Sequence, residues 1–273
     1  MEVSENGYNN WRKRGKSRRK QDDEMLAERI EGAYHHHRGH YGSPRIHAEL
    51  KGQEIHCRRK RVARLMREQQ LSARKKRGKI RTTDSNHSFP VAPNLLKQDF
   101  TADAPNKKWV TDFPFIPTKE GWLFVAGVLD AYSRKIVGWS MSDCHDAEFV
   151  KSALSMALRT RQPGAGLVHH SDRGSEYASI SYQMMLQEQN IQGSMSKKGD
   201  CYDNAMIESF WATLKEECIE ETIFSTRKEA KIAIFEYIEA YYNRKRRHSS
   251  LEYMSPVEYE TQGEKRERIL LDK

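Results

Sequence analysis

The texture of the chain changes at Trp109, and that change limits the possible folds more than any other feature. Beyond it, short runs of β-formers alternate with amphipathic stretches. Trp109-Val110-Thr111-Asp112 reads as a first strand, the apolar run from Trp122 to Leu129 as a second, and Lys135 to Met141 as a third. Residues 146–159 read as a helix, because Phe149, Val150, Ala153, Leu154 and Ala157 recur at near-helical spacing. A short fourth strand, Leu167 to His169, leads to Ser171-Asp172. A helix around Ser181–Gln189 and a strand Ile191–Met195 follow. After a Gly/Asp loop come a helix from about Ala205 to Glu217 and a last one from Thr226 to about Asn243. Three strands, then helices alternating with strands, predict an α/β domain.

The first part of the chain is different in charge and in period. Residues 1–81 hold 23 Lys and Arg against 10 Asp and Glu, whereas the remainder holds 24 against 28. Dense basic clusters at one end of a chain point to a nucleic-acid partner. Residues 25–38 read as a helix through Leu26, Ile30 and Ala33. Ser43-Pro44 opens a second helix carrying Ile46 and Leu50, with Ser43 as N-cap and Pro44 at the first helical position. A third, from about Arg58 to Gln69, has Val62, Leu65 and Met66 on one side and is decorated by Arg58, Arg59, Arg61 and Arg64. Three short helices, the last one basic, fit a helix-turn-helix-like DNA-binding unit. The resulting layout is a basic segment (1–24), the helical unit (25–72), a basic linker (73–104), the α/β domain (105–262) and a polar tail (263–273).

Several classes are excluded. No stretch approaches the ~20 apolar residues of a membrane-spanning helix, and no apolar run follows the basic N-terminus as in a secretory signal. A cytoplasmic protein with no membrane partner is expected. Cys57, Cys144, Cys201 and Cys218 form no C-x-x-C pair, which argues against a zinc ribbon or redox dithiol. His35, His36, His37 and His40 lack such a partner too and read as surface histidines.

Three carboxylates stand where open α/β sheets place their chemistry: Asp112 at the first strand, Asp172 at the end of the fourth, and Glu208 in the helix 205–217. On that helix Ile207, Phe210, Trp211 and Leu214 form the buried stripe, and Glu208 lies about 100° from Ile207, at its edge. Lys215, two turns on, shares that edge. Attack on a phosphodiester must neutralise charge on the attacking and leaving oxygens. Two Mg²⁺ ions about 4 Å apart do so, and they prefer carboxylate ligands.

The spacing carries a resemblance. There are 59 residues between Asp112 and Asp172 and 35 between Asp172 and Glu208. With the stretches YGSPRIHAEL (41–50), KRVARLM (60–66), WVTD (109–112), VLDAYSRKIVGWSMS (128–142), HSDRGSEY (170–177), KGDCYDNAMIESFWATLKEE (198–217) and YNRKRRHSSLEYMSPVEYE (242–260), this resembles the second-reading-frame product of integrase-like insertion-sequence transposases. The resemblance implies a ribonuclease-H-like integrase core, a five-stranded mixed sheet with flanking helices, behind a small basic helix-turn-helix-like domain. It implies a Mg²⁺-binding triad of Asp112, Asp172 and Glu208, with Mn²⁺ as substitute. Lys215 matches a basic residue near the reacting DNA end. The implied reaction cleaves the element's end to leave a 3′-OH, which then attacks another phosphodiester without a covalent enzyme intermediate. Implied partners are terminal inverted repeats, target DNA, the first-reading-frame product or its frameshift fusion, and further copies of the chain on DNA; the implied location is the bacterial nucleoid.

Other residues of these motifs are candidates of a second kind. Arg244, Arg246 and Arg247 form a basic cluster suited to DNA. His170, Arg173 and Asn204 flank the triad; His170 reads either as a support for a carboxylate or as an ordinary structural imidazole, and Asn204 as a support or a helix cap. Two positions depart from the family. Pro114 falls inside a strand expected to be central, which predicts a bulge after Asp112 or a degraded copy. Glu176 replaces a commoner Gln and adds negative charge near Asp172. The start near Gly7-Tyr8 reads as the tail of a longer segment, leaving end recognition incomplete. The alternatives are a non-catalytic DNA-binding fragment and a ribonuclease-H-like nuclease.

Overall fold

The computed structural model describes residues 4–6, 8–9, 15–73, 89–197, 201–219 and 223–271. The basic run 74–81 and Gly199 of the Gly/Asp loop lie outside them. The chain divides into two compact units between Lys76 and Arg77.

Unit 1 contains α1 (Arg18–His36), α2 (Ser43–Gly52) and α3 (Arg59–Glu68). Their apolar faces close on one core of Leu26, Ile30, Ile46, Leu50, Val62, Leu65 and Met66. The helix α1 starts earlier than its apolar pattern because Ser17 caps it, accepting from the Lys20 N–H. Gly42, not Ser43, occupies the N-cap of α2, so Pro44 still falls in the first turn. The surface reading fails for two histidines: His37 and His40 are buried, and His37 stacks on Tyr41 at 3.7 Å.

Unit 2 is built on one mixed sheet: β1 (Lys108–Asp112), β2 (Phe115–Thr118), β3 (Gly121–Asp130), β4 (Ile136–Ser142), β5 (Val168–Ser171) and β6 (Gln192–Met195). The helices are α4 (Ala147–Arg161), the short α5 (Ser175–Ala178), α6 (Ile180–Glu188), α7 (Ala205–Leu214), α8 (Arg227–Glu236) and α9 (Pro256–Leu271). The last of these takes in most of the expected polar tail. Both β1 and β2 lie on one edge of β3, β4 lies on the other, and β5 and β6 extend the sheet beyond β1 in parallel. The six strands therefore make five rows. The pairs Asp112↔Gly127 and Phe115↔Phe124 are in the same register, so β1 and β2 are one strand interrupted at Phe113-Pro114.

The expected bulge after Asp112 is absent; the register shift lies between β3 and β4 at Val128/Leu129. Proline is tolerated because the Pro114 carbonyl still accepts from the Val125 N–H at 3.1 Å, leaving only the return bond unmade. The pairing of β1 with β5 ends at Val110↔His170, so this strand is central before Asp112 and an edge after it.

Alternation sorts the strand residues into two layers. Val110, Leu123, Val125 and Leu129 face a core closed by Ile207, Phe210, Trp211 and Leu214 of α7 and by Ala230 and Ile234 of α8. Trp109, Ala126 and Val128 face a second core with α4 and α6. Gly138 allows α4 onto the sheet, since a Cβ there would strike the Ala153 carbonyl. Gly127 does the same for α7: a Cβ would lie 2.8 Å from the Trp211 ring. The end of the expected linker joins this unit, with Leu96 buried in the α7 core and the Leu95 N–H bonded to Ser194 Oγ at 2.9 Å.

Candidate active site

The face on which each acid lies follows from the alternation. Val110 faces α7, so Asp112, two residues on, faces α7 as well. Val168 of β5 packs on the same core, and Asp172, four residues further, shares its parity. Because β1 and β5 run parallel with Val110 opposite His170, Asp112 and Asp172 come at the same carboxyl-end edge. The third acid arrives on α7, which Trp211 anchors over Gly127, the partner of Asp112. Asn204, at the start of α7, donates from Nδ2 to the Thr111 carbonyl at 3.2 Å, tying this end of the helix to β1. Glu208 is one turn further along.

Electrostatics couples the groups. Burial pushes the Asp112 carboxyl up to about 8, and the charges of Asp172 and Glu208 add to the rise. The Phe113 N–H and the Lys215 ammonium oppose it. Lys215 itself is lowered by partial burial, with Asp112 acting the other way. Tyr177, whose hydroxyl meets Thr111 Oγ1 at 3.4 Å, is raised by burial and then by Asp112 and Asp172. Asp172 is oriented by the Gly174 N–H at 2.9 Å. Among the described residues, no three His, Cys, Asp or Glu side chains stand as a ready-made metal-ligand set. The triad is thus an electrostatic cluster that is not closed on a point. Its donor chemistry, an Asp112 carboxylate on which the charges of Asp172 and Glu208 both act, suits a hard divalent cation.

The accessory candidates separate. His170 is fully buried, and its nitrogens meet Ser194 Oγ at 2.8 Å and Ser196 Oγ at 3.2 Å. Burial lowers it to about 4, with Asp203 acting the other way. It is a neutral imidazole that joins β5 to β6, and the reading of it as a carboxylate support is corrected. Arg173 donates from Nε to the Ser196 carbonyl at 2.6 Å, pinning the turn after Asp172. Asn204 is bonded to β1 and makes no side-chain cap. The Glu176 carboxylate is taken up by His145, with Nδ1 to Oε1 at 2.8 Å. That imidazole provides a local counter-charge when protonated.

The basic cluster needs the largest correction. Arg246 is buried and forms an ion pair with Glu217, Nη2 to Oε1 at 2.9 Å, so it is not a DNA contact. Arg244 is exposed, with Nε on the Glu239 carbonyl. Arg247 is half-buried, donating to the Tyr253 carbonyl at 3.0 Å. In unit 1, Arg61 and Arg64 both hold Asp23 at 2.6 Å, whereas Arg58 and Arg59 are exposed. Glu217 was missed by sequence reasoning. Its signal was present: it falls three residues after Leu214 and continues the buried stripe of α7.

Comparison with known proteins agrees with this architecture. The integrase core domain matches residues 102–201 and, in a second form, 189–256, and an HTH-like domain matches residues 20–79. The chain is 47% identical to the insertion element IS600 uncharacterized 31 kDa protein of Shigella sonnei, covering 94% of each. It is 45% identical to the transposase for insertion sequence element IS904 of Lactococcus lactis subsp. lactis, strain IL1403, over 89% of this chain and 96% of that one. It is 40% identical to the transposase InsF for insertion sequence IS3A of Escherichia coli, strain K12, over 96% and 92%. The mixed sheet with these matches defines a polynucleotidyl transferase with an integrase core. The chain belongs to the insertion-sequence transposases, enzymes of DNA transposition, with an HTH-like domain in front of the core.

No helix among the described residues is long and apolar enough to cross a membrane.

Proposed function

We propose that Asp112, Asp172 and Glu208 are the catalytic carboxylates and together hold divalent cations, Mg²⁺ with Mn²⁺ as substitute. The observation that carries this reading is the Asp112 carboxyl, facing α7 and raised first by burial and then by the charges of both other acids. When bound, the cations supply neutralising charge for the attacking and leaving oxygens of a phosphodiester. The chain's own residues do the rest. With the cations bound, Asp112 would give up the proton that its surroundings favour, and the three carboxylates would together fix where the scissile phosphate sits. Asn204 and the Gly174 N–H hold two of the elements that present those carboxylates. Lys215, within electrostatic reach of Asp112, meets a phosphate of the reacting strand. Water first breaks the phosphodiester at the element's end, leaving a 3′-OH. That 3′-oxygen then bonds to a target phosphorus as the target's own 3′-oxygen leaves.

Unit 1 supplies duplex affinity through the exposed Arg58, the N-cap of α3, and Arg59 in its first turn, with the ion-paired Arg61 and Arg64 beside them. The functional divisions proposed are 25–72 for DNA binding and 105–262 for catalysis. The first-reading-frame product and further copies of the chain complete the assembly on terminal repeats, in the bacterial nucleoid.

The test uses a duplex made from the DNA flanking the gene, with Mg²⁺ and a plasmid target. Cutting at the element's end and joining of the 3′-OH are expected, and Asp112→Asn, Asp172→Asn and Glu208→Gln should abolish both while duplex binding persists. Cleavage of RNA–DNA hybrids without joining would favour a nuclease instead. Full activity in any of the three variants would remove that residue from the triad.

A further inference from the structure

The far end of the helix that carries Glu208 is irregular. At Lys215 α7 widens into a π-helical turn, Lys215–Ile219, and α8 widens in the same way into Tyr237–Tyr242. The two wide turns meet at one carboxylate. The Tyr237 hydroxyl donates to Glu217 Oε2 at 2.7 Å. Arg246 closes on the same group, with Nε 2.9 Å from Oε2 and Nη2 2.9 Å from Oε1. Its guanidinium carbon stands 5.9 Å from the Tyr242 ring centroid, and His248 meets that ring edge-on at 5.0 Å. Glu217 and Arg246 are both buried.

Neither feature is explained by stability. Wide turns are rare and recur at functional sites. A buried ion pair must be stripped of water and often holds a fold no better than apolar residues of the same size. Here both occur together, and the wide turn begins at Lys215, on the helix edge that also carries Glu208. We propose that the Glu217–Arg246 ion pair is a positioning device for Lys215. It pins the turn 215–219 against 237–242, sets the direction in which Lys215 leaves α7, and so holds its ammonium beside the phosphates of the reacting DNA end. The proposal rests on the reading of Lys215 as a DNA contact given above.

The experiment measures binding of the full chain to the flanking-DNA duplex over a range of salt concentrations. Each phosphate contact adds about 0.9 to the slope of log K against log salt. Lys215→Ala should flatten the slope by about 0.9. Arg246→Lys keeps the net charge, yet it should flatten the slope by a comparable amount, because it no longer grips Glu217 with two nitrogens. The Lys215→Ala/Arg246→Lys pair should be no flatter than Lys215→Ala alone, which a merely structural role for Arg246 would not produce. An unchanged slope in Arg246→Lys, or additive losses in the pair, overturns the proposal and leaves the Lys215 reading standing. An unchanged slope in Lys215→Ala overturns both. Should Arg246→Lys fail to fold, Tyr237→Phe removes only the hydroxyl on Glu217 and carries the same test, with a smaller flattening expected and none overturning the proposal.

Discussion

Glu208 and Glu217 stand on one helical rod, with its wide turn as the only break, yet they live under opposite electrical conditions. Burial raises the Asp112 carboxyl, and the charges of Asp172 and then Glu208 raise it further. Glu217 is met by Arg246 and Tyr237. Arg246 shows the match from the other side: burial acts to lower it, and the Glu217 carboxylate, joined by Tyr237 and Tyr242, more than reverses that. The difference separates two uses of buried charge. Where like charges gather, a carboxyl is raised, and on the reading proposed above that strain is relieved by a cation. Where opposite charges are paired, it is fixing geometry.

The comparison breaks first at the unmatched end. Asp112→Asn should lower end cleavage by on the order of a thousandfold or more, measured on the flanking duplex, with the fold intact by circular dichroism. The matched end should break differently. Glu217→Ala leaves Arg246 buried and unpaired, and urea unfolding should show a loss of about 3–5 kcal/mol. Replacing both partners, Glu217→Met with Arg246→Met, should restore most of that stability.

A pH titration sharpens the contrast. The folded Asp112 pKa lies above its ordinary value, so the folded state holds that proton more tightly than the unfolded chain. Its contribution to metal-free stability is therefore present in acid and is lost as pH rises towards about 8. Melting temperature in chelator should fall across that window; Asp112→Asn or added Mg²⁺ should flatten the fall. The smallest effects belong to α3. Arg58→Ala or Arg59→Ala should each flatten the salt dependence of duplex binding by about one. Arg61→Ala, which loses only its pairing with Asp23, should change stability by under about 1 kcal/mol.

The faces on which the proposed catalytic acids lie were legible because period-two and period-3.6 patterns fix which face a residue occupies, and both needed only local spacing. Asp112 shares the parity of Val110, and Glu208 flanks the Ile207–Leu214 stripe. What stayed hidden were pairings across distance. Arg246 sits among basic residues and looked like a phosphate contact; its partner lies 29 positions earlier in the chain. His170 looked like a neighbour of Asp172, but its bonds run sideways to Ser194 of β6 and to Ser196 just past that strand. Pro114 signalled an interruption, but no local pattern says where a neighbouring strand stops. The widening of α7 and α8 was equally invisible, since a helical stripe does not reveal the width of its last turn.

The split strand has a consequence for how the chain behaves in company. Past Asp112 its outer side is no longer covered by β5, and until the bridge from Thr118 to Phe224 it is a bare rim of the kind that recruits foreign strands and seeds clumping. In the alternation set by the Pro114–Val125 bond, Phe113, Pro117 and the residue between them at 115 present their backbone outward. The Phe113 amide is turned to the Asp112 carboxylate, and Pro117 has no hydrogen to give. An incoming chain would find a rim with most of its donors spent or missing, which lets the strand run on past Asp112 without inviting self-association there.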